Sequence, residues 1–102
     1  MNKITLYIGL NDKNSKRQEL DTIECYKIVS RLITEYADGG TIYSAQGIYK
    51  HANGDIVIEN TLRVELIDVV EQALKTIVTL VKNLLNQESV IVQREQIVSE
   101  FV

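Results

Sequence analysis

The chain offers few side chains for acid–base or nucleophilic chemistry. His51 is the single histidine and Cys25 the single cysteine among 102 residues. Histidine is the usual proton carrier near neutral pH, but a general base needs an orienting carboxylate, and Asp55 is the only local candidate. Because His51 adjoins an Asn-Gly turn, we expect an exposed polar turn residue. Cys25 lies among apolar residues at helical spacing, which favours a small buried residue over a thiolate nucleophile.

A polar segment near the N-terminus carries positive charge. Lys13, Lys16 and Arg17 could hold an anion together with the amides of a following helix. No glycine-rich phosphate-binding motif accompanies them anywhere in the chain. A solvated loop is the simpler interpretation, and anion binding by residues 11–17 stays an open alternative.

Charged and aromatic residues recur on the outward positions of three predicted strands. A catalytic carboxylate pair would need one buried member with a raised pKa, and no local pattern indicates one. Tyrosine is common at interfaces because it buries a large area at low entropic cost while its hydroxyl stays hydrated. We therefore predict an interaction surface on one face of a sheet, formed by Tyr7, Tyr43, Tyr49, Glu59, Arg63 and Glu65.

Composition excludes several classes of protein. A length of 102 residues with 45% hydrophobic content and a net charge of −3 predicts one globular α+β domain over residues 1–102. A lone cysteine excludes an internal disulfide and a cysteine-based zinc site. The acidic balance disfavours direct nucleic-acid binding, and no apolar run reaches the length of a membrane span. We expect a cytoplasmic protein without a signal peptide, cofactor, metal or catalytic residue.

The first half of the chain predicts a strand, a helix and a hairpin. Residues 3–9 alternate apolar and polar, as a half-buried strand does. Asp21 lies three residues before Glu24, the spacing of a helix capping box, and residues 38–40 (Asp-Gly-Gly) should end that helix with a glycine in the left-handed conformation. A strand over 41–50 follows, in which Gly47 indicates a bulge or a close backbone approach. Asn53-Gly54 predicts a hairpin turn.

The second half predicts a long strand, a helix and a shorter strand. Apolar residues along one face of the long strand should point toward the core: Ile56, Ile58, Leu62, Val64 and Leu66. Asp68 and Glu71 repeat the capping-box spacing ahead of the second helix. A strand over 89–93 and an apolar segment over 97–102, either an edge strand or a docked tail, complete the chain. The order β-α-β-β-α-β predicts a ferredoxin-like two-layer α+β sandwich, with both helices on one face of an antiparallel sheet and the other face open.

The chain from Gly39 onward resembles a small bacterial family known only as a domain of unknown function. Its matching segments are 45–49 (Ala-Gln-Gly-Ile-Tyr), 53–59 (Asn-Gly-Asp-Ile-Val-Ile-Glu), 87–90 (Gln-Glu-Ser-Val) and Ser99-x-Phe101. Leu85-Asn86 stands before the Gln-Glu-Ser-Val segment, where the family usually has an aromatic residue. The resemblance implies a compact α+β domain and no mechanism.

Two functions compete on this evidence. Since no titratable pair is arranged for chemistry, we expect a non-enzymatic binding protein with a protein partner, forming a homodimer. Within that class, an anti-CRISPR-like inhibitor of a host defence or nucleic-acid-handling enzyme, from a phage or mobile element, fits the size and charge. The alternative is a ferredoxin-like homodimer that binds or turns over a small molecule in a cleft at the open sheet face.

Overall fold

A computed structural model describes residues 1–102 and contains four strands and two helices. The sheet order is β2-β3-β1-β4, and every neighbouring pair is antiparallel. This arrangement, with both helices on one side, confirms the predicted ferredoxin-like α+β fold. The elements are β1 (Asn2–Gly9), α1 (Thr22–Tyr36), β2 (Thr41–Lys50), β3 (Ile56–Ile67), α2 (Glu71–Leu84) and β4 (Ile91–Gln96).

One apolar core lies between the sheet and the helices. Leu6 and Leu62, from the two central strands, are fully buried, as are Val29 of α1 and Ile77 of α2. Strand alternation sends these residues to one face, and the 3.6-residue helical period gives each helix a matching apolar stripe. The opposite face of the sheet has no helix over it.

The two helices begin differently. Asp21 caps α1 as predicted, since its Oδ1 accepts a hydrogen bond of 2.8 Å from the backbone N–H of Glu24. The predicted cap of α2 is wrong: Val70 occupies the N-cap position and makes no side-chain hydrogen bond. Asp68 has a positive φ of 53° and accepts a hydrogen bond from the backbone N–H of Asn2, so it ties the turn to β1 instead. Neither helix combines the length and apolar character that crossing a lipid bilayer requires.

Chain turns and ends account for further differences from the sequence predictions. Asp38, with φ of 61°, takes the left-handed conformation after α1 that was predicted for a glycine, and Gly39 follows it with φ of 158°. Gly47 lies in an unbroken β2–β3 register, so it marks a close approach, and a β-carbon there would lie 3.2 Å from Oγ1 of Thr61.

The last strand extends to Gln96, beyond the predicted end at residue 93. Residues 97–102 form neither a strand nor a helix.

The β2–β3 hairpin projects beyond the helical layer. Ile48, Ile56 and Ile58 are 70%, 69% and 61% exposed on its helix side, so the prediction that Ile56 and Ile58 line the core is wrong. Length explains this: the 12 residues of β3 extend about 40 Å, whereas the 15 residues of α1 reach about 22 Å. The loop before α1 closes the core at Asn60, whose Nδ2 donates to Oε1 of Gln18 over 2.9 Å.

Candidate ligand-binding groove

Strand register brings the six predicted surface residues to the open face of the sheet. Tyr7 and Tyr43 lie on either side of Arg63, as its partners on β1 and β2. Glu59 and Glu65 lie on the same face of β3 as Arg63, because alternate residues of a strand point the same way. For the same reason, Tyr49 lies on the same face of β2 as Tyr43. The structure therefore brings all six together, and their role as an interaction surface stays a prediction.

One half of this face is an ion-pair cluster of Lys3, Tyr43, Arg63 and Glu65. The Glu65 carboxylate lies 3.1 Å from Lys3 Nζ and 2.8 Å from Arg63 Nη2, and it accepts a 2.9 Å hydrogen bond from the Tyr43 hydroxyl. Hydrogen bonding from Lys3 is the main cause that lowers the pKa of Glu65, and the bond to Glu65 raises the pKa of Tyr43. The guanidinium carbon of Arg63 also lies 5.2 Å from the Tyr43 ring centroid. Each charged group of the cluster therefore has an opposite charge beside it, while Nε of Arg63 is buried without a hydrogen-bond partner.

The other half of the face forms a groove of about 570 Å³ where β1 ends. Its floor comes from the sheet, with Gly9, Gly47 and Thr61 among the lining residues. The walls come from two loops, residues 11–16 and 87–89, and from the projecting hairpin. This volume is within the range of small-molecule sites in proteins, about 300–1,000 Å³.

Glu59 places an unpaired carboxylate on the floor of the groove. A β-carbon at Gly9 would lie 2.5 Å from Oε1 of Glu59, so the carboxylate occupies the space that this glycine leaves free. Oε2 accepts a 2.8 Å hydrogen bond from the backbone N–H of Asn11. Glu59 takes part in no ion pair, in contrast to Glu65. Burial, and then the negative charge of the neighbouring Glu59, raise the pKa of Tyr49.

The loop that holds Glu59 is itself held by Gln87. This side chain is only 8% exposed, and its Nε2 donates to the carbonyl oxygens of Asn11, over 2.7 Å, and of Leu85, over 3.2 Å. Beside it, Asn86 Nδ2 donates to Asp12 Oδ1 over 2.7 Å and is the main cause that lowers the pKa of Asp12. Sequence reasoning missed Gln87 as a site residue, although it opens the 87–90 segment of the family resemblance.

The remaining predicted candidates fall on both sides of the sheet. His51 is exposed, as expected for a turn, but it also lines the groove and meets the Tyr49 ring edge-on at a centroid distance of 5.6 Å. Lys13 and Lys16 line the loop wall of the groove. Cys25 is buried in the core as predicted, and desolvation raises the pKa of its thiol. The chain brings no three His, Cys, Asp or Glu residues together as a metal site.

The fold and the groove define an open-faced ferredoxin-like α+β protein with a small-molecule-sized site on its bare sheet face. The chain belongs to the family described as protein of unknown function (DUF3574), whose model matches residues 3–101. This membership confirms the resemblance predicted from the sequence. No curated protein matches the chain.

Two solved structures of a phage SAM lyase share the fold. The apo structure has a TM-score of 0.65 and 19% identity, covering 92% of this chain and 78% of the lyase chain. The complex with S-methyl-5′-thioadenosine has a TM-score of 0.61 and 18% identity, covering 93% and 80%.

These neighbours correct one prediction from the sequence. We expected from the sequence that the protein is not an enzyme. This comparison contradicts that expectation, because the matching structures are those of an enzyme. At 18–19% identity the likeness establishes the fold, so the ligand has to be argued from the groove itself. Inhibition of a host defence enzyme stays a prediction that neither the fold nor the family tests.

Proposed function

We propose that the protein is an enzyme that binds a positively charged sulfonium nucleoside of the S-adenosylmethionine (SAM) type in the groove and cleaves one of its carbon–sulfur bonds. The observation that carries this proposal is the unpaired Glu59 carboxylate on the groove floor. The likeness in fold to a phage SAM lyase supports the choice of ligand class.

The charge at Glu59 favours a cationic ligand beside it, in a groove lined by three acidic side chains and two lysines: Asp12, Glu59, Glu88, Lys13 and Lys16. Glu65 already has Lys3 and Arg63 beside it, whereas Glu59 receives one backbone N–H and no cation. A carboxylate that faces a concave site without a counter-ion attracts a positive ligand, since opposite charges about 4 Å apart gain about 1 kcal/mol in water and about 4 kcal/mol near a protein surface. A sulfonium centre supplies that charge.

Aromatic side chains give the rest of such a ligand a complementary surface. Tyr7 and Tyr49 both line the groove with Glu59. A tyrosine ring attracts a cation over its face and stacks against a flat heterocycle such as a nucleobase. Gly9 and Gly47 leave the floor of the groove free of side chains between these rings, because a side chain at either position would enter the space above the sheet.

In the cleavage of a carbon–sulfur bond, Glu59 would act by binding the charged substrate. When the bond between sulfur and the amino-acid chain breaks, its electron pair returns to sulfur and leaves neutral S-methyl-5′-thioadenosine. A carboxylate oxygen of the same amino-acid chain bonds to the carbon left behind and closes a lactone. The sulfonium charge disappears in this step. A carboxylate beside that charge therefore stabilises the bound substrate more than the transition state, and such an interaction lowers KM without raising kcat. Replacement of Glu59 should act mainly on KM.

A turnover assay tests the proposal. Purified protein is incubated with SAM, and the loss of SAM and the gain of S-methyl-5′-thioadenosine are followed by liquid chromatography and mass spectrometry. A protein-free blank corrects for spontaneous breakdown, and the Glu59→Gln protein is run beside it at low and saturating SAM. We expect product above the blank, with the Glu59→Gln deficit largest at low SAM. Equal rates with and without the wild-type protein would overturn the proposal.

A further inference from the structure

Two apolar segments of the chain have nothing packed against them. One is the isoleucine patch, defined as Ile48, Ile56 and Ile58 on the helix side of the projecting hairpin. The other is the C-terminal tail, residues 97–102, in which Val98 is 96% and Phe101 88% exposed. Single exposed apolar residues are ordinary, but two separate groups in a chain of 102 residues need an explanation.

The tail cannot cover the patch of its own chain. It leaves β4 at Gln96, which pairs with Asn2, and it stays at that end because the backbone N–H of Ile97 donates to the carbonyl of Met1 over 2.9 Å. The patch lies beyond the opposite end of β1, in a molecule 47 Å long. Crossing β1 alone takes about 25 Å, whereas six extended residues span about 20 Å.

We propose that the tail of one copy packs on the isoleucine patch of a second copy. Side by side and antiparallel, two copies place each tail beside the hairpin of the other, and a two-fold axis makes both contacts at once. Because the patch and the segment that fits it belong to one chain, a second copy carries the whole complementary surface. This inference concerns self-association and does not depend on the proposed enzymatic activity.

Charge at the two segments supports this pairing. Lys50 follows Ile48 on the same face of β2, at the rim of the patch, and Glu100 lies in the tail between the two exposed apolar residues. Neither residue has an ion-pair partner within the chain. Placing the tail on the patch brings these opposite charges to the edge of an apolar contact, as at other protein interfaces.

The surface area that the two contacts would bury also favours a symmetric pair of copies. A phenylalanine buries about 150–250 Å² when it is covered, and a stable interface buries about 800 Å² on each partner. One tail on one patch falls short of that area. A closed pair doubles the contact, since each copy supplies both a tail and a patch, and therefore approaches the area that a stable dimer needs.

Size-exclusion chromatography with light scattering, and sedimentation equilibrium, test the pairing. We expect a wild-type dimer. The patch variant, Ile56→Ser with Ile58→Ser, and the tail variant, Val98→Ser with Phe101→Ser, should each raise the dissociation constant at least about 30-fold. All four side chains are exposed, so the variants should fold. Ile23→Ser, which removes an equally exposed isoleucine from α1, should leave the dimer unchanged.

Mixing the two variants distinguishes this specific pairing from nonspecific hydrophobic association. The patch variant keeps its tail and the tail variant keeps its patch, so a mixture can form one of the two contacts. We expect a mixed dimer, weaker than the wild-type dimer because it has one contact in place of two, at concentrations where neither variant associates alone. A monomeric wild type, which would leave the patch to some other occupant, would overturn the proposal. Variants that stay dimeric, or a mixture that associates no more strongly than either variant alone, would overturn it as well.

Discussion

Replacing Glu59 by glutamine removes one charge from the groove and keeps its shape. The amide oxygen of glutamine can still accept the hydrogen bond from the backbone N–H of Asn11 that Glu59 accepts now. No cationic side chain loses a partner, because Glu59 takes part in no ion pair. The variant therefore reports the effect of the charge on the ligand with little change in the fold.

The expected effect follows from the half-buried position of Glu59. A unit charge about 4 Å away interacts with a carboxylate by about 1 kcal/mol in bulk water and about 4 kcal/mol at an effective dielectric constant of 20. A groove open on one side lies between these limits, so we take about 2 kcal/mol. That free energy corresponds to about a 30-fold rise in Kd, since each 1.4 kcal/mol is about tenfold.

Isothermal titration calorimetry with two ligands isolates this charge effect, at a temperature low enough that little SAM is cleaved during a titration. SAM carries the sulfonium, and S-adenosylhomocysteine is the neutral thioether that lacks one methyl group. We expect Glu59→Gln to weaken SAM about 30-fold and to leave S-adenosylhomocysteine within about twofold. Glu35→Gln, the same change at an exposed position of α1, is the matched control and should alter neither affinity.

Two results would contradict a direct charge effect of Glu59 on the ligand. An equal loss for both ligands would mean that Glu59 shapes the groove without sensing charge. A similar loss with Glu35→Gln would mean that only the net charge of the protein matters.

Three further predictions follow from the same contacts. Gly9→Ala should displace the Glu59 carboxylate and weaken SAM, with no added effect in a Glu59→Gln background; additive losses in titration calorimetry would contradict this. Gln87→Leu should lower the free energy of unfolding in urea by about 1–3 kcal/mol, because two carbonyls lose their donor; a change under about 0.5 kcal/mol would contradict it. Since the pKa of Glu65 is lowered by folding, its stabilising contribution is present above the ordinary value of 4.5 and disappears as pH falls through the folded-state pKa. When the urea midpoint of unfolding is measured against pH, Glu65→Gln should reduce the fall of the midpoint at acid pH. An unchanged fall would contradict the stabilising role of the Glu65 carboxylate.

Local patterns predicted the elements because local physics determines them. Alternation in residues 3–9 and the Asp21 cap both depend on neighbours a few positions away, and both are present in the structure. The predicted cap at Asp68 failed because Asn2, 66 positions away, uses that carboxylate. Ile58 failed as a core residue because alternation identifies a face of a strand and does not show how far the helices extend along it.

The candidate site was predicted only in part for the same reason. Alternation placed the tyrosines and Glu59 on the open face, as the register confirms. Which carboxylate stays unpaired depends on Lys3, which reaches Glu65 across the sheet. The support from Gln87 depends on a hydrogen bond to Asn11 across 76 positions, and no local pattern signals such a contact.

The most direct test of a cation-binding groove is a nuclear magnetic resonance titration of isotopically labelled protein with SAM. Backbone amides at Gly9, Asn11, Gly47 and Glu59 should shift in proportion to occupancy, while those of the buried helix positions Val29 and Ile77 should stay in place. The Glu59→Gln protein should show the same set of shifts at about 30-fold higher SAM. Saturating SAM that moves no groove amide, or that moves only residues on the helix side of the sheet, would contradict the account.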